Sequence, residues 1–305
     1  MTEDVTDATR NPALVELRAR IRAGWDDFSP AVRGVCRSLS AITPERLLYM
    51  SAQELGAEAK TSNATVIRTL QGLGYSGLAE LKGMVAAPFT SHIPPEERAR
   101  QRVESTGGDL EKVWNSVVTE SVDRIELLRS KVSAGSYELA VRLLVEARRI
   151  WTYGWGASYV AAEHLALKLR RMDRHARSIQ TTGFRLADDL IDIESGEVVL
   201  VFVPGRLPTE VEVLIERART VGAKCILVSD ELVDEIGDDV TVALYAPNTP
   251  TGMTAEPLTA IVLADALAQA VAASDRERTV EASHQLTALR EQLGFRAKSS
   301  KQNSH

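Results

Sequence analysis

Apolar residues recur three and four positions apart through the N-terminal part of the chain, the spacing that lines one face of an α-helix. Leu14, Leu17, Ile21 and Trp25 form the first stripe, opened by Asn11 as N-cap with Pro12 at the first helical position and closed near Gly24. Ser29-Pro30 repeats the start signal ahead of Val32, Val35, Cys36 and Leu39, and Thr43-Pro44 opens a further segment. Ser51 with Glu54 has capping-box spacing and predicts a short helix over 52–59. Ser62 caps the next helix, which turns Val66, Ile67, Leu70 and Leu73 inward and leaves Asn63, Thr65, Arg68 and Thr69 on other faces, until Gly72, Gly74 and Gly77 end the pattern.

Residues 88–109 are rich in Pro, Gly and charge and read as a linker. Beyond them the pattern changes. Short β-type runs at 149–153, 176–179, 198–203, 224–228 and 240–245 alternate with helical stretches near 157–171, 184–191, 209–221 and 254–273. Such alternation predicts a doubly wound α/β domain, a parallel five-stranded sheet with helices on both faces. The expected organisation is thus an all-α domain over 1–87, the linker, an α/β domain over 110–275, and a C-terminal helix with flexible tail over 276–305. In that helix Leu286, Leu289 and Leu293 are placed to pack on a neighbour.

Composition narrows the function classes. The 305 residues are 44% hydrophobic and 26% charged, as in ordinary globular proteins, and a chain of this length accommodates two cores. No apolar run reaches the ~20 residues of a membrane helix and the first residues are acidic, so a cytoplasmic protein with no membrane segment is expected. Cys36 and Cys225 stand alone in apolar stretches and read as buried reduced thiols; neither a metal site nor a cofactor is expected. The net charge of −6 excludes a protein that coats nucleic acid by bulk charge, yet between Ser29 and Gly83 six basic residues face four acidic ones.

That slightly basic segment contains two short helices joined by a tight turn, the spacing that lets the second helix enter a DNA major groove. Asn63 and Thr65 are short polar groups suited to base edges, Arg68 to guanine or phosphate, and Lys60 and Ser62 to the backbone. The run from Ser51 to Lys82 resembles the helix-turn-helix of the RpiR family of transcription regulators, through Ser62, Thr65, Val66 and Arg68 followed by Leu73, Gly74, Tyr75 and Gly77. Two positions depart from that family's pattern: Lys60 replaces a turn glycine and Thr61 a buried aliphatic residue. A left-handed Lys60 costs about 1 kcal/mol relative to Gly.

A second motif lies after the first β-type run. Gly154-Trp155-Gly156-Ala157-Ser158 joins a strand to an apolar helix, and the exposed N–H groups of that helix start, with the Ser158 hydroxyl, suit an anion. Tyr159 takes the place of the third glycine of a dinucleotide fingerprint, which disfavours a nicotinamide cofactor. Residues 110–275 resemble a SIS (sugar isomerase) domain, the sugar-phosphate-binding module that follows the helix-turn-helix in RpiR regulators. In that family the loop after the 198–203 strand reads Ser-x-Ser-Gly; here it reads Phe202-Val203-Pro204-Gly205, which removes both hydroxyls and one N–H. Gly205, Arg206 and Thr209 are the candidates to compensate, and Thr254, with Thr251 and Glu256, reads equally as a ligand contact or a helix cap.

The resemblance implies a regulator that binds double-stranded DNA at an inverted repeat as a homodimer or homotetramer and senses a small molecule, a sugar phosphate or related metabolite. An enzymatic role is not expected, because His164, within a helix, and His175, in a charged cluster, read as packed or solvated side chains. The rival readings are a sugar-phosphate isomerase with an accessory helical domain and a SIS scaffold without effector.

Overall fold

The structure is a computed structural model and describes residues 11–90, 107–249 and 257–295, with a few positions between 96 and 104. The expected linker falls largely, and the expected flexible tail after 295 wholly, outside those residues. The N-terminal helices are α1 (Pro12–Gly24), α2 (Pro30–Ala41), α3 (Pro44–Tyr49), α4 (Ala52–Glu58), α5 (Asn63–Gly72) and α6 (Leu78–Thr90). Their starts follow from single side chains: Asn11, Ser29, Thr43, Ser51 and Ser62 each accept the backbone N–H three residues on. Both halves of the capping box between Ser51 and Glu54 are formed. Leu17, Val35, Leu39, Leu55, Val66 and Leu70 meet in one core and are fully buried.

Two helices that the periodicity did not reveal come next, α7 (Leu110–Lys131) and α8 (Ala134–Glu146). The chain then alternates through β1 (Ile150–Gly154), α9 (Tyr159–Arg170), β2 (Ala176–Ile179), α10 (Leu186–Leu190), β3 (Val198–Phe202), α11 (Thr209–Val221), β4 (Lys224–Ser229), the unanticipated α12 (Leu232–Ile236), β5 (Val242–Tyr245), α13 (Leu258–Ser274) and α14 (Arg276–Gln292). The sheet is five-stranded and parallel in the order β2-β1-β3-β4-β5. Side chains alternate across it: Ile150, Leu200, Ile226 and Leu244 pack under α8, α9 and α13, and Trp151, Val199, Val201 and Leu227 under α10, α11 and α12. The doubly wound α/β fold is therefore as the sequence implied. Between β1 and β3 the connections diverge to opposite sides, which opens a crevice at the carboxyl edge of the sheet.

At the amino edge sits Glu197, fully buried and surrounded by donors. It accepts Trp151 Nε1 at 2.7 Å, Arg148 at 2.9 Å and the Glu194 N–H at 3.1 Å. A buried carboxylate is tolerable only with such a shell. The lower half of α7, with Leu127 and Leu128 buried, rests on α6 and α13, and Lys131 of α7 pairs with Glu80 of α6 at 2.5 Å. The apolar residues Leu263, Leu267 and Val271 of α13 are spent on its own core. After it the chain bends by 105° into α14; Leu289 on that helix and Leu293 just after it are exposed. No single described helix is long and apolar enough to cross a membrane.

Candidate functional sites

The turn between α4 and α5 is built by two backbone features. Lys60 adopts the left-handed conformation at φ 53° that glycine ordinarily supplies. Gly56 lets α5 approach: a Cβ there would lie 3.0 Å from the Thr61 carbonyl and 3.3 Å from the Asn63 nitrogen, both backbone. The Thr61 N–H closes the turn on the Gly56 carbonyl at 2.8 Å. Gly56 was not singled out in the sequence because a helical glycine signals close approach only once its neighbour is known.

On α5, Val66 and Leu70 anchor the helix while Asn63 and Arg68 project to solvent beside Lys60 and Ser62. Among the described residues, Asn63, Arg68 and Lys60 are held by no side-chain hydrogen bond or ion pair, so their donors are available. Ser62 and Thr65 are otherwise engaged: the Ser62 hydroxyl accepts the Thr65 N–H at 3.2 Å and lies 3.0 Å from the Thr65 hydroxyl. Thr69, assigned to an outer face, is buried instead, its hydroxyl donating to the Thr65 carbonyl at 2.8 Å. That intrahelical bond removes the cost of turning a hydroxyl inward.

A second candidate site is a small open cleft at the carboxyl edge of the sheet. Ser158, Phe202, Pro204, Ser229, Asn248 and Thr259 line it, from five successive segments that converge there. Gly154 permits the sharp turn into α9, because a Cβ would lie 2.3 Å from the Ser158 carbonyl oxygen. Gly156 follows at φ 58°, and Ser158 is buried with no capping bond from its hydroxyl. Of the anticipated ligand residues that the structure describes, Ser158 alone lines the cleft; Gly154 and Gly156 shape the loop behind it.

The loop after β3 is arranged differently from expectation. Gly205, at φ 71°, gives its N–H to Asp230 Oδ1 at 2.8 Å, so that donor is already taken and a carboxylate occupies the rim. Arg206 stacks on Trp155, its guanidinium 5.5 Å from the ring centre, beside the cleft rather than in it. Thr209 is exposed at the start of α11. Its neighbour Glu210 accepts the Tyr153 hydroxyl at 3.0 Å and the Gly183 N–H at 2.5 Å, which makes this corner structural. Thr254, with Thr251 and Glu256, lies outside the described residues. Thr259, which the sequence reading passed over, donates to the Pro247 carbonyl at 2.7 Å and floors the cleft. Asp230 was missed as well; its place directly after a strand, at the carboxyl edge, was the available signal.

His164 sits away from this cleft, Nε2 2.8 Å from Asp265, with Lys168 paired to the same carboxylate. His175 is exposed. The described residues contain no group of three acidic, histidine or cysteine side chains placed to hold a metal ion. Burial pushes the thiol of Cys36 up to about 11 and that of Cys225 up to about 12, so both stay protonated.

Residues 143–273 match the SIS domain family. The chain carries a SIS domain. Around it, 210 residues are 29% identical to the bifunctional protein glk of Paraburkholderia xenovorans, covering 69% of this chain and 32% of that one, so the chain spans about a third of the length of the first curated relatives it matches. It is 24% identical over 218 residues to the uncharacterized HTH-type transcriptional regulator TTE0211 of Caldanaerobacter subterraneus, 70% of this chain and 73% of that one. Among solved structures, the SIS domain resembles the sugar isomerase domain of an RpiR transcription factor from Sphaerobacter thermophilus, at TM-score 0.53 and 17% identity over 56% of this chain and 95% of that one. The NanR protein of Vibrio vulnificus, complexed with ManNAc-6P, aligns over 91% of this chain and 98% of its own at TM-score 0.51 and 19% identity. A helical N-terminal part followed by a SIS domain is the order of parts that the sequence led us to expect.

Proposed function

We propose that the protein is a sequence-specific DNA-binding transcription regulator of the cytoplasm whose SIS domain senses a small molecule. The observation that carries this reading is the pairing of a packed helix-turn-helix, with the unengaged donors of Asn63, Arg68 and Lys60 on one exposed side, with a SIS domain in one chain. Relatives named as HTH-type transcriptional regulators support it. In this reading residues 1–87 bind DNA, 110–275 sense, and a homodimer or homotetramer reads an inverted repeat, since two-fold assemblies present their recognition helices to half-sites one or more turns apart.

The effector would enter the cleft beside Ser158. NanR was solved with ManNAc-6P, and a related metabolite is the class of effector inferred for this chain. Pro204 without an N–H, Phe202 without a hydroxyl and the engaged N–H of Gly205 favour an effector whose charge is modest and part of whose surface is apolar. An enzymatic isomerase is disfavoured because, among the described residues, the acid at the rim, Asp230, accepts the Gly205 N–H and the lining itself holds no titratable side chain to move a proton. Genomic footprinting with the purified protein tests the reading: protected inverted repeats support it, and protection that is unaltered by Arg68→Ala refutes the assigned face.

A further inference from the structure

The helical domain meets α7 through charges at both ends of that helix. Lys131, in the last turn of α7, pairs with Glu80 at 2.5 Å, and Lys112, in the first turn, pairs with Glu54 at 3.7 Å. Each of these carboxylates also closes a helix start: Glu54 accepts the Ser51 N–H and hydroxyl ahead of α4, and Glu80 accepts the Ser76 N–H at 2.5 Å and hydroxyl at 2.9 Å ahead of α6. The two lysines stand 19 residues apart, about 28 Å along one helix, so they hold the helical domain at two widely separated points. Between them Asp123 of α7 lies in the field of Lys82, a buried cation of α6. Burial pushes the Asp123 carboxyl up, Lys82 opposes that shift and Glu120 adds to it.

The apolar cores do not cross this contact. Among the described residues, the cluster that binds α1 to α6 together runs from Ala13 to Ala86 and takes in nothing from α7, while Leu128 of α7 belongs to the core beneath α8, α9 and α13. Lys112 and Lys131 are both about half exposed, so salt reaches them. A contact of this kind is loose, because exposed ion pairs contribute little each, weaken with salt, and hold domains that move relative to one another by default. We infer that the Lys112–Glu54 and Lys131–Glu80 pairs form a two-point latch that holds the helix-turn-helix domain closed on α7, and that their rupture lets the domain swing away as a unit while both cores stay folded. Closed, the latch fixes where α5 stands relative to the cleft; open, it uncouples the two. The latch is a property of the chain with or without an operator, and its test uses no DNA, so its failure and that of the proposed function are told apart.

The test is a distance within one full chain, read by pulsed electron paramagnetic resonance. Spin labels on Gln71→Cys in α5 and Glu212→Cys in α11, both exposed, are diluted into unlabelled protein so that only the intrachain distance is seen; Cys36 and Cys225 are buried and take no label. The latch gives one narrow distance at about 0.05 M salt, and a distribution lengthened by about 10 Å, the radius of a small domain, at about 1 M salt or in Lys112→Glu with Lys131→Glu. Loss of the two pairs should shift the closed-to-open ratio by at least about 10-fold. Arg129→Glu with Arg142→Glu changes the net charge equally at exposed positions outside the latch and should stay closed. Circular dichroism shows whether each variant is folded, and the salt series needs no substitution in the latch. A distance that salt leaves unchanged, a folded lysine variant that stays closed, or an arginine control that opens as far, overturns the latch.

Discussion

The backbone N–H of Gly205 donates to Asp230 Oδ1 across the ends of β3 and β4, at 2.8 Å. A loop of this kind cradles an anion only while its N–H groups are free, and here the one that Pro204 does not eliminate is spent on a carboxylate. Replacing Asp230 by Asn removes the negative charge from the rim. Calorimetry with a panel of sugar phosphates should show weak binding by the wild type and binding by Asp230→Asn about 10-fold tighter, equivalent to about 1.4 kcal/mol. Equal affinities in the two proteins would clear Asp230 of any part in excluding phosphate.

Arg68 is exposed on α5 while Val66 and Leu70 hold the helix, so its removal separates recognition from folding. Arg68→Ala should weaken operator binding by about 1 to 3 kcal/mol with no change in melting midpoint. Gel-shift titration alongside thermal unfolding reads both quantities. A loss of stability equal to the loss of binding would make Arg68 a structural residue.

Glu54 gives a pH dependence with a definite sign. Burial pushes its carboxyl up, but the hydrogen bonds from the Ser51 N–H and hydroxyl and the nearby Lys112 outweigh burial and hold it below the ordinary value. A group depressed in the folded state stabilises above its unfolded value, about 4.3, and that contribution fades as pH falls through the lower folded value. Glu54→Gln keeps the capping geometry without the titration. Melting curves should lose stability between about pH 5 and pH 3 less steeply in that variant than in the wild type, and parallel curves would contradict the assignment.

Glu197 is the most exacting residue of the SIS domain. Glu197→Ala strips Trp151 Nε1 and the Glu194 N–H of their partner and leaves a hole at the amino edge of the sheet. The expected loss is about 3 to 5 kcal/mol in denaturant unfolding, whereas a solvated acid such as Asp188 should cost under about 0.5 kcal/mol. Comparable values for the two would show that the donors around Glu197 are satisfied by water.

Much of this architecture was written in local signals. Asn11-Pro12, Ser29-Pro30, Thr43-Pro44 and the Ser51–Glu54 box each mark a helix start within a few residues, and β-type runs bounded by helices imply the parallel sheet. α7 escaped because its apolar face is turned outward and mixed with charge, so its pattern does not report a core. The cleft was half legible. Ser158 follows from a glycine turn before a helix, a local feature, but the fates of Gly205 and Arg206 depend on Asp230 and Trp155, which lie 25 and 51 residues away along the chain. Thr69 shows the same limit within one helix: its inward hydroxyl is visible only when its bond to Thr65 is.

The first turn of α13 floors the cleft through Thr259 and Ala260, and the same helix packs against α7, which in turn packs on α6 and reaches α4 through the Lys112–Glu54 ion pair. Cleft and helix-turn-helix are thus joined by helices in series. A rod of 22 residues is about 33 Å long, so a tilt of about 3° at one end sweeps the other by nearly 2 Å. In the proposed regulator a displacement on that scale would be enough to change the spacing of paired recognition helices relative to the pitch of the DNA, so that small adjustments around an effector would reach an operator as leverage.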